Sequence, residues 1–134
     1  MLNRRTLRIK IMQTLFAFDQ CKEANYTLAH DLIDERFAPD LNSMEVQDKE
    51  QLRAQKKAAI QYFDKIFKGQ TPSDEVDAKV SKVAEEALRV YKLQVKKDQE
   101  FLGKNSVLEI ERLSTLYHSV LSLLLEFAAL AAAE

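Results

Sequence analysis

Four cations stand close together near the start of the chain: Arg4, Arg5, Arg8 and Lys10. Guanidinium groups are planar, permanently charged and able to donate two parallel hydrogen bonds to one anion, so a cluster of them suits phosphate or carboxylate. Asn3 precedes them as a residue suited to cap a helix, and the residues from Arg4 onward read as helical. At a helix N-terminus the unpaired backbone N–H groups and the side chains can address the same anion. Cations are unfavourable there by about 0.3–1 kcal/mol each. An anionic partner removes that conflict, which a merely solvated helix start would keep. Arg4, Arg5, Arg8 and Lys10 are therefore the candidate binding residues.

No competing constellation carries catalysis. The two histidines, His30 and His118, stand apart in sequence, and His118 follows Tyr117 in a largely apolar run, where a hydrogen-bonded structural role is expected. No serine stands in a nucleophile elbow, no glycine-rich loop could cradle a nucleotide, and no carboxylate pair sits in an apolar setting. Asp31, Asp34 and Glu35 read as a solubilising face rather than a metal site. The single cysteine, Cys21, rules out an internal disulfide and reads as a buried, inert thiol. No enzyme activity, cofactor or metal is expected.

The net charge is −1 over 134 residues, so any polyanion site must be a local patch rather than the whole surface. Lys92, Lys96, Lys97 and Lys104 are interleaved with Asp98 and Glu100, and Lys56, Lys57, Lys65 and Lys68 read the same way, as ordinary solvated faces. Aromatic residues could stack on unpaired bases. Phe16, Phe18, Tyr62, Phe63, Phe67, Tyr91 and Tyr117 recur at core-like spacing, however, and are assigned to packing. Tyr26, at a helix junction, is the freest candidate for stacking. The run Val120 to Ala133 approaches membrane character but contains Glu126 and reads as too short to span a bilayer. With no secretory signal legible, a cytoplasmic protein is expected.

The elements that must position these residues are helices. Only two glycines and two prolines occur, and no window alternates in the manner of a half-buried strand. The punctuation predicts about five helices. The first runs from Asn3 to about Ala24. The second begins after Thr27 and ends at Pro39. The third opens at a capping box, Asn42-Ser43-Met44-Glu45, and closes at Gly69. The fourth starts at Thr71-Pro72 and closes at Gly103. The fifth opens at Ser106-Val107-Leu108-Glu109.

The first helix leaves only a thin polar or small stripe through Lys10, Thr14, Ala17 and Cys21. Leu7, Ile9, Ile11, Met12, Leu15, Phe16 and Phe18 make up a wide apolar arc. The fifth is similar, with Leu113, Leu116, Val120, Leu123 and Phe127 flanked by further leucines, opposite a line through Thr115, Ser119, Ser122 and Glu126. A helix that is apolar nearly all round belongs in the middle of a bundle. The expected fold is thus an all-α bundle with the first and fifth helices central. The uncapped apolar end predicts either the N-terminal part of a longer chain or a helix that docks on a partner.

The run Arg4-Arg5-x-x-Arg8 followed by Gln13-x-Leu15-Phe16-x-Phe18 resembles the first helix of the NusB family of transcription antitermination factors. Met1-Leu2-Asn3 and the later Leu116-Tyr117-His118-Ser119-Val120-Leu121-Ser122-Leu123-Leu124-Leu125-Glu126 resemble longer variants of that family. The resemblance implies an all-helical protein that binds boxA, a short single-stranded RNA element, together with a small ribosomal subunit protein and the transcription elongation complex. It also implies that Arg4, Arg5 and Arg8 face the RNA backbone, and that Gln13, Leu15, Phe16 and Phe18 belong mostly to the core. Residues 40–104 are longer and more charged than the family's corresponding connection and read as an insertion of two helices. Residues 1–134 then form one helical domain, the N-terminal part of a longer NusB-like chain. The competing expectation, from another class, is a helical interaction module that recruits a protein or forms a homodimer through helix five.

Overall fold

A computed structural model describes residues 3–71 and 76–133. These contain three helices and no strand: α1 is Arg4–Arg36, α2 is Lys49–Phe67 and α3 is Ala78–Ala133. The all-α expectation holds, but the expected five helices are three. Two expected breaks do not form.

The hydroxyl of Thr27 donates to the carbonyl of Glu23 at 3.2 Å, one turn back along the same helix, instead of capping a new one. With no glycine or proline between Ala24 and Thr27, nothing stops the ladder, and the first two expected helices fuse into α1. Gly103 likewise lies within α3, and so do Ser106 and Glu109. A glycine in a helix interior costs about 1 kcal/mol. The good helix formers on both sides offset that cost, and the fourth and fifth expected helices fuse.

The start of α2 is also displaced. Ser43 accepts from the backbone N–H of Glu45 at 3.3 Å, but this is a local turn. The cap is Asp48, which accepts from the N–H groups of Glu50 and Gln51 at 3.0 and 3.3 Å. Gly69 ends α2 as expected. Its φ of +75° is the left-handed conformation that glycine adopts without a side-chain clash. The N–H of Gln70 reaches back to the Lys65 carbonyl at 2.8 Å and that of Gly69 to Ile66 at 2.9 Å, closing a Schellman motif. Pro72, the expected start signal of the next helix, lies outside the described residues. Asp77 caps α3, accepting from the Lys79 N–H at 3.3 Å.

The chain divides into two compact units: unit 1 comprises Met1–Gln20 and Asp98–Glu134, and unit 2 comprises Cys21–Lys97. Every buried residue among those described belongs to unit 2. Asn25, Ala29 and Ile33 recur every fourth residue on α1, Ala59 and Phe63 stand four apart on α2, and Val80, Ala84 and Ala87 follow at steps of four and three on α3. Phe37, just past α1, completes the cluster. The alanines let the helices approach closely, and Phe63, Ile33 and Val80 fill the space between them. Each such large side chain contributes about 1.5–3 kcal/mol by leaving water. Ion pairs at the edge, Arg36–Glu86 at 2.7 Å and Lys56–Asp34 at 3.1 Å, are part-exposed and add little.

The core therefore does not lie where the sequence places it. The first part of α1 and the last part of α3 were expected to be central, and they form unit 1, which has no buried residue among those described. Its two helix segments run antiparallel, with Thr14 donating to Ser106 at 3.2 Å and Lys10 paired with Glu109 at 3.5 Å. The polar or small stripe of Lys10, Thr14 and Ala17 is half-buried. Ile9, Ile11, Met12, Leu15 and Phe16 face outward. Small residues allow the closer approach, so the pair meets along its narrow side and leaves the wide apolar arc uncovered.

Candidate nucleic-acid interface

The arginine cluster rests on a capped helix start. The Asn3 side chain accepts from the Arg5 N–H at 3.2 Å, and the Asn3 carbonyl accepts from the Leu7 N–H at 3.1 Å. The first turn carries no acidic residue. Arg4, Arg5 and Arg8 are all exposed, and no carboxylate among the described residues pairs with them. At 3.6 residues per turn, Arg8 lies about 40° around the helix from Arg4, and Arg5 about 100°. The three guanidinium groups thus share one side of the helix end, free for an anion.

Lys10 is separate. The same periodicity places it about 240° from Arg4, on the far side of α1. It is half-buried and its ammonium faces Glu109 at 3.5 Å. Its neighbourhood is a shallow groove lined by Lys10, Glu109, Arg112, Leu116 and Ser119. Arg112 is exposed there. Sequence reading did not single it out, because an isolated arginine on an apolar helix carries no pattern; only the antiparallel pairing brings it near Lys10.

The remaining sequence candidates fall in unit 2 and are engaged. Tyr26, the expected free stacking residue, donates its hydroxyl to Asp64 Oδ1 at 2.5 Å. His30 Nε2 lies 3.1 Å from the same oxygen. The rings of Tyr26, His30, Phe63 and Phe67 pack with centroids 4.5–6.0 Å apart. The hydrogen bond to the Asp64 carboxylate pushes the Tyr26 phenol up to about 12, with burial and the carboxylate's charge adding to the effect. This is a structural polar cluster inside an aromatic one, and it corrects the expectation for Tyr26.

Phe63 is fully buried, as its spacing implied, while Phe16 and Tyr117 are exposed, against expectation. Cys21 is free and half-buried rather than buried. Among the described residues no group of three or more His, Cys, Asp or Glu is placed to hold a metal ion.

The exposed apolar surface of unit 1 continues along α3. Leu116, Val120, Leu124, Phe127 and Leu130 are each about half exposed or more. By length and composition α3 includes a stretch apolar enough to cross a membrane, none of it buried. No family model matches the chain, and no curated protein or solved structure is similar to it.

Proposed function

We propose that this chain is part of an RNA-binding transcription antitermination factor of the NusB type, acting in the cytoplasm, and that the start of α1 contacts the backbone of a boxA-type single strand. The observation that carries the reading is the set of three exposed guanidinium groups, Arg4, Arg5 and Arg8, with no carboxylate partner among the described residues, at a helix end capped by Asn3. A solvated helix start would gain from acidic residues in its first turn, and this one has none. Lys10 belongs to the same reading as a contact only if its pairing with Glu109 opens. The NusB-type partners, a small ribosomal subunit protein and the elongation complex, remain part of the proposal, which involves no catalysis.

The test is fluorescence anisotropy with a labelled boxA-like RNA across a salt series. Arg4→Ala, Arg5→Ala and Arg8→Ala combined should reduce the steepness of the salt dependence by about 2, at about 0.7 per phosphate contact on a single strand. Equal binding by the triple variant would remove α1 from the RNA site.

One observation favours a second reading. The helix pair of unit 1 turns its apolar arc outward, and contiguous exposed apolar surface of this kind marks interaction sites. A helical interaction or dimerisation module is consistent with that. A dimer by light scattering, with no RNA affinity at low salt, would select it over the first.

A further inference from the structure

Unit 2 holds a second cationic feature. Between Lys49 and Lys68 the chain carries Lys49, Arg53, Lys56, Lys57, Lys65 and Lys68 against only Glu50 and Asp64, although the whole chain has a net charge of −1. Asp64 is occupied by Tyr26 and His30. α2 is therefore strongly basic in an otherwise balanced protein. Its first half borders a cleft between the end of α1 and the start of α2, lined by Asp34, Pro39, Lys49, Leu52, Arg53 and Lys56.

The cleft has an organised charge pattern. Lys49, Arg53 and Lys56 recur at intervals of four and three residues, so they follow one side of α2. Lys49 and Arg53 are exposed, with no carboxylate partner among the described residues. Lys56 is anchored at 3.1 Å by one oxygen of Asp34. The other oxygen of Asp34 is shut off from water with no donor, so the oxygen facing Lys56 is the one that carries the carboxylate's contact at the cleft wall. Pro39 and Leu52 supply apolar surface between the cations.

We infer that this cleft binds the phosphodiester backbone of single-stranded RNA, with Lys49 and Arg53 on successive phosphates and an unstacked base or ribose against Pro39 and Leu52. The inference rests on the RNA-binding reading and adds to it a second contact surface, in the other unit of the chain. The cation row calls for a polyanion. The apolar surface beside it calls for one whose base faces are open, as they are in a single strand and not in a duplex.

The experiment uses the full chain and a fluorescein-labelled single-stranded RNA of twelve nucleotides, titrated between 50 and 300 mM salt. Lys49→Ala with Arg53→Ala should weaken binding about fivefold or more at 100 mM salt and reduce the log–log salt slope by about 1.4. Lys65→Ala with Lys68→Ala removes the same charge from the last turn of α2 and its cap, outside the cleft, and should leave the slope near the wild-type value. A duplex of the same length should bind more weakly than the single strand. Three results overturn the cleft while leaving RNA binding itself intact: an unchanged slope in the first variant, an equal loss in the second, or equal affinity for the duplex. Absence of wild-type binding at 50 mM salt would overturn both the cleft and the reading it rests on.

Discussion

Unit 2 closes Ile33, Phe63 and Val80 off from water, whereas unit 1 leaves Leu15, Phe16, Leu124 and Phe127 each more than half exposed. α1 and α3 supply both units, so composition alone does not explain the contrast. In unit 2 three helices meet, and Ala29, Ala59, Ala84 and Ala87 let them close around a few large side chains. In unit 1 only two segments meet, and they do so along a stripe of Lys10, Thr14 and Ala17 against Ser106 and Glu109. Two helices can bury only the strip between them. An apolar arc wider than that strip is left facing outward, however strongly its periodicity suggests a core.

Charge differs less sharply, since Lys49 and Arg53 of unit 2 also lack a carboxylate partner among the described residues. Unit 2 uses several of its carboxylates internally: Asp34 with Lys56, Asp64 with Tyr26 and His30, Glu86 with Arg36. In unit 1 Glu109 engages Lys10, while Arg4, Arg5 and Arg8 have no carboxylate partner among the described residues. Unit 1 thus combines unpaired cations with uncovered apolar surface. The proposed RNA contact would use the first, and the second reading, a helical interaction module, would use the other.

The largest effect that can break this comparison comes from paired truncations. Phe63→Ala should cost about 3–5 kcal/mol, since it opens a cavity in a closed core. Leu124→Ala should cost within about 0.5 kcal/mol, since its site is open. Urea denaturation followed by circular dichroism measures both. A large loss from Leu124→Ala would mean that the apolar face of unit 1 is covered in solution.

The polar cluster of unit 2 should give a signature at high pH. The folded phenol of Tyr26 is raised to about 12 from an ordinary 10.0. Its contribution to stability is therefore complete below pH 10 and is lost as the pH rises from there toward 12. Thermal melts from pH 9 to 11.5 should show a steeper decline for the wild type than for Tyr26→Phe, whose ring stays among His30, Phe63 and Phe67 without an ionisable group. Equal slopes would show that the hydroxyl of Tyr26 does not hold Asp64.

The smallest effects come from the two glycines, one in each unit, and they should have opposite signs. Gly69→Ala forces a side chain into a backbone of φ +75° and should destabilise by about 1 kcal/mol. Gly103→Ala meets nothing within 4 Å in a helix interior and should stabilise by about 0.5–1 kcal/mol. Thermal melts of both variants check the pair. A destabilising Gly103→Ala would mean that α3 does not run unbroken through that point.

The helix ends were legible to the extent that a local hydrogen bond decides them. Asn3 and Gly69 cap as read, because each acts within a few residues of its own backbone. Ser43 was misread because its pattern suits a turn as well as a cap, and Asp48, five residues on, competes for the same role. Gly103 and Thr27 were misread as boundaries because a weak break yields when strong helix formers flank it. Of the candidate interface, the exposed trio was legible as a motif. Arg112 was not, nor was the separation of Lys10, since both depend on which side of α1 meets α3.

By itself the sequence determined that the chain is helical, where two of its ends are capped, and that cations cluster at the first turn. These follow from backbone geometry and spacing along a single segment. The tertiary structure alone decided which apolar arc is covered, which carboxylate meets which cation, and that the core is built from the middle of the chain. Burial and ion pairing belong to pairs of surfaces, and a periodic pattern describes only one member of each pair.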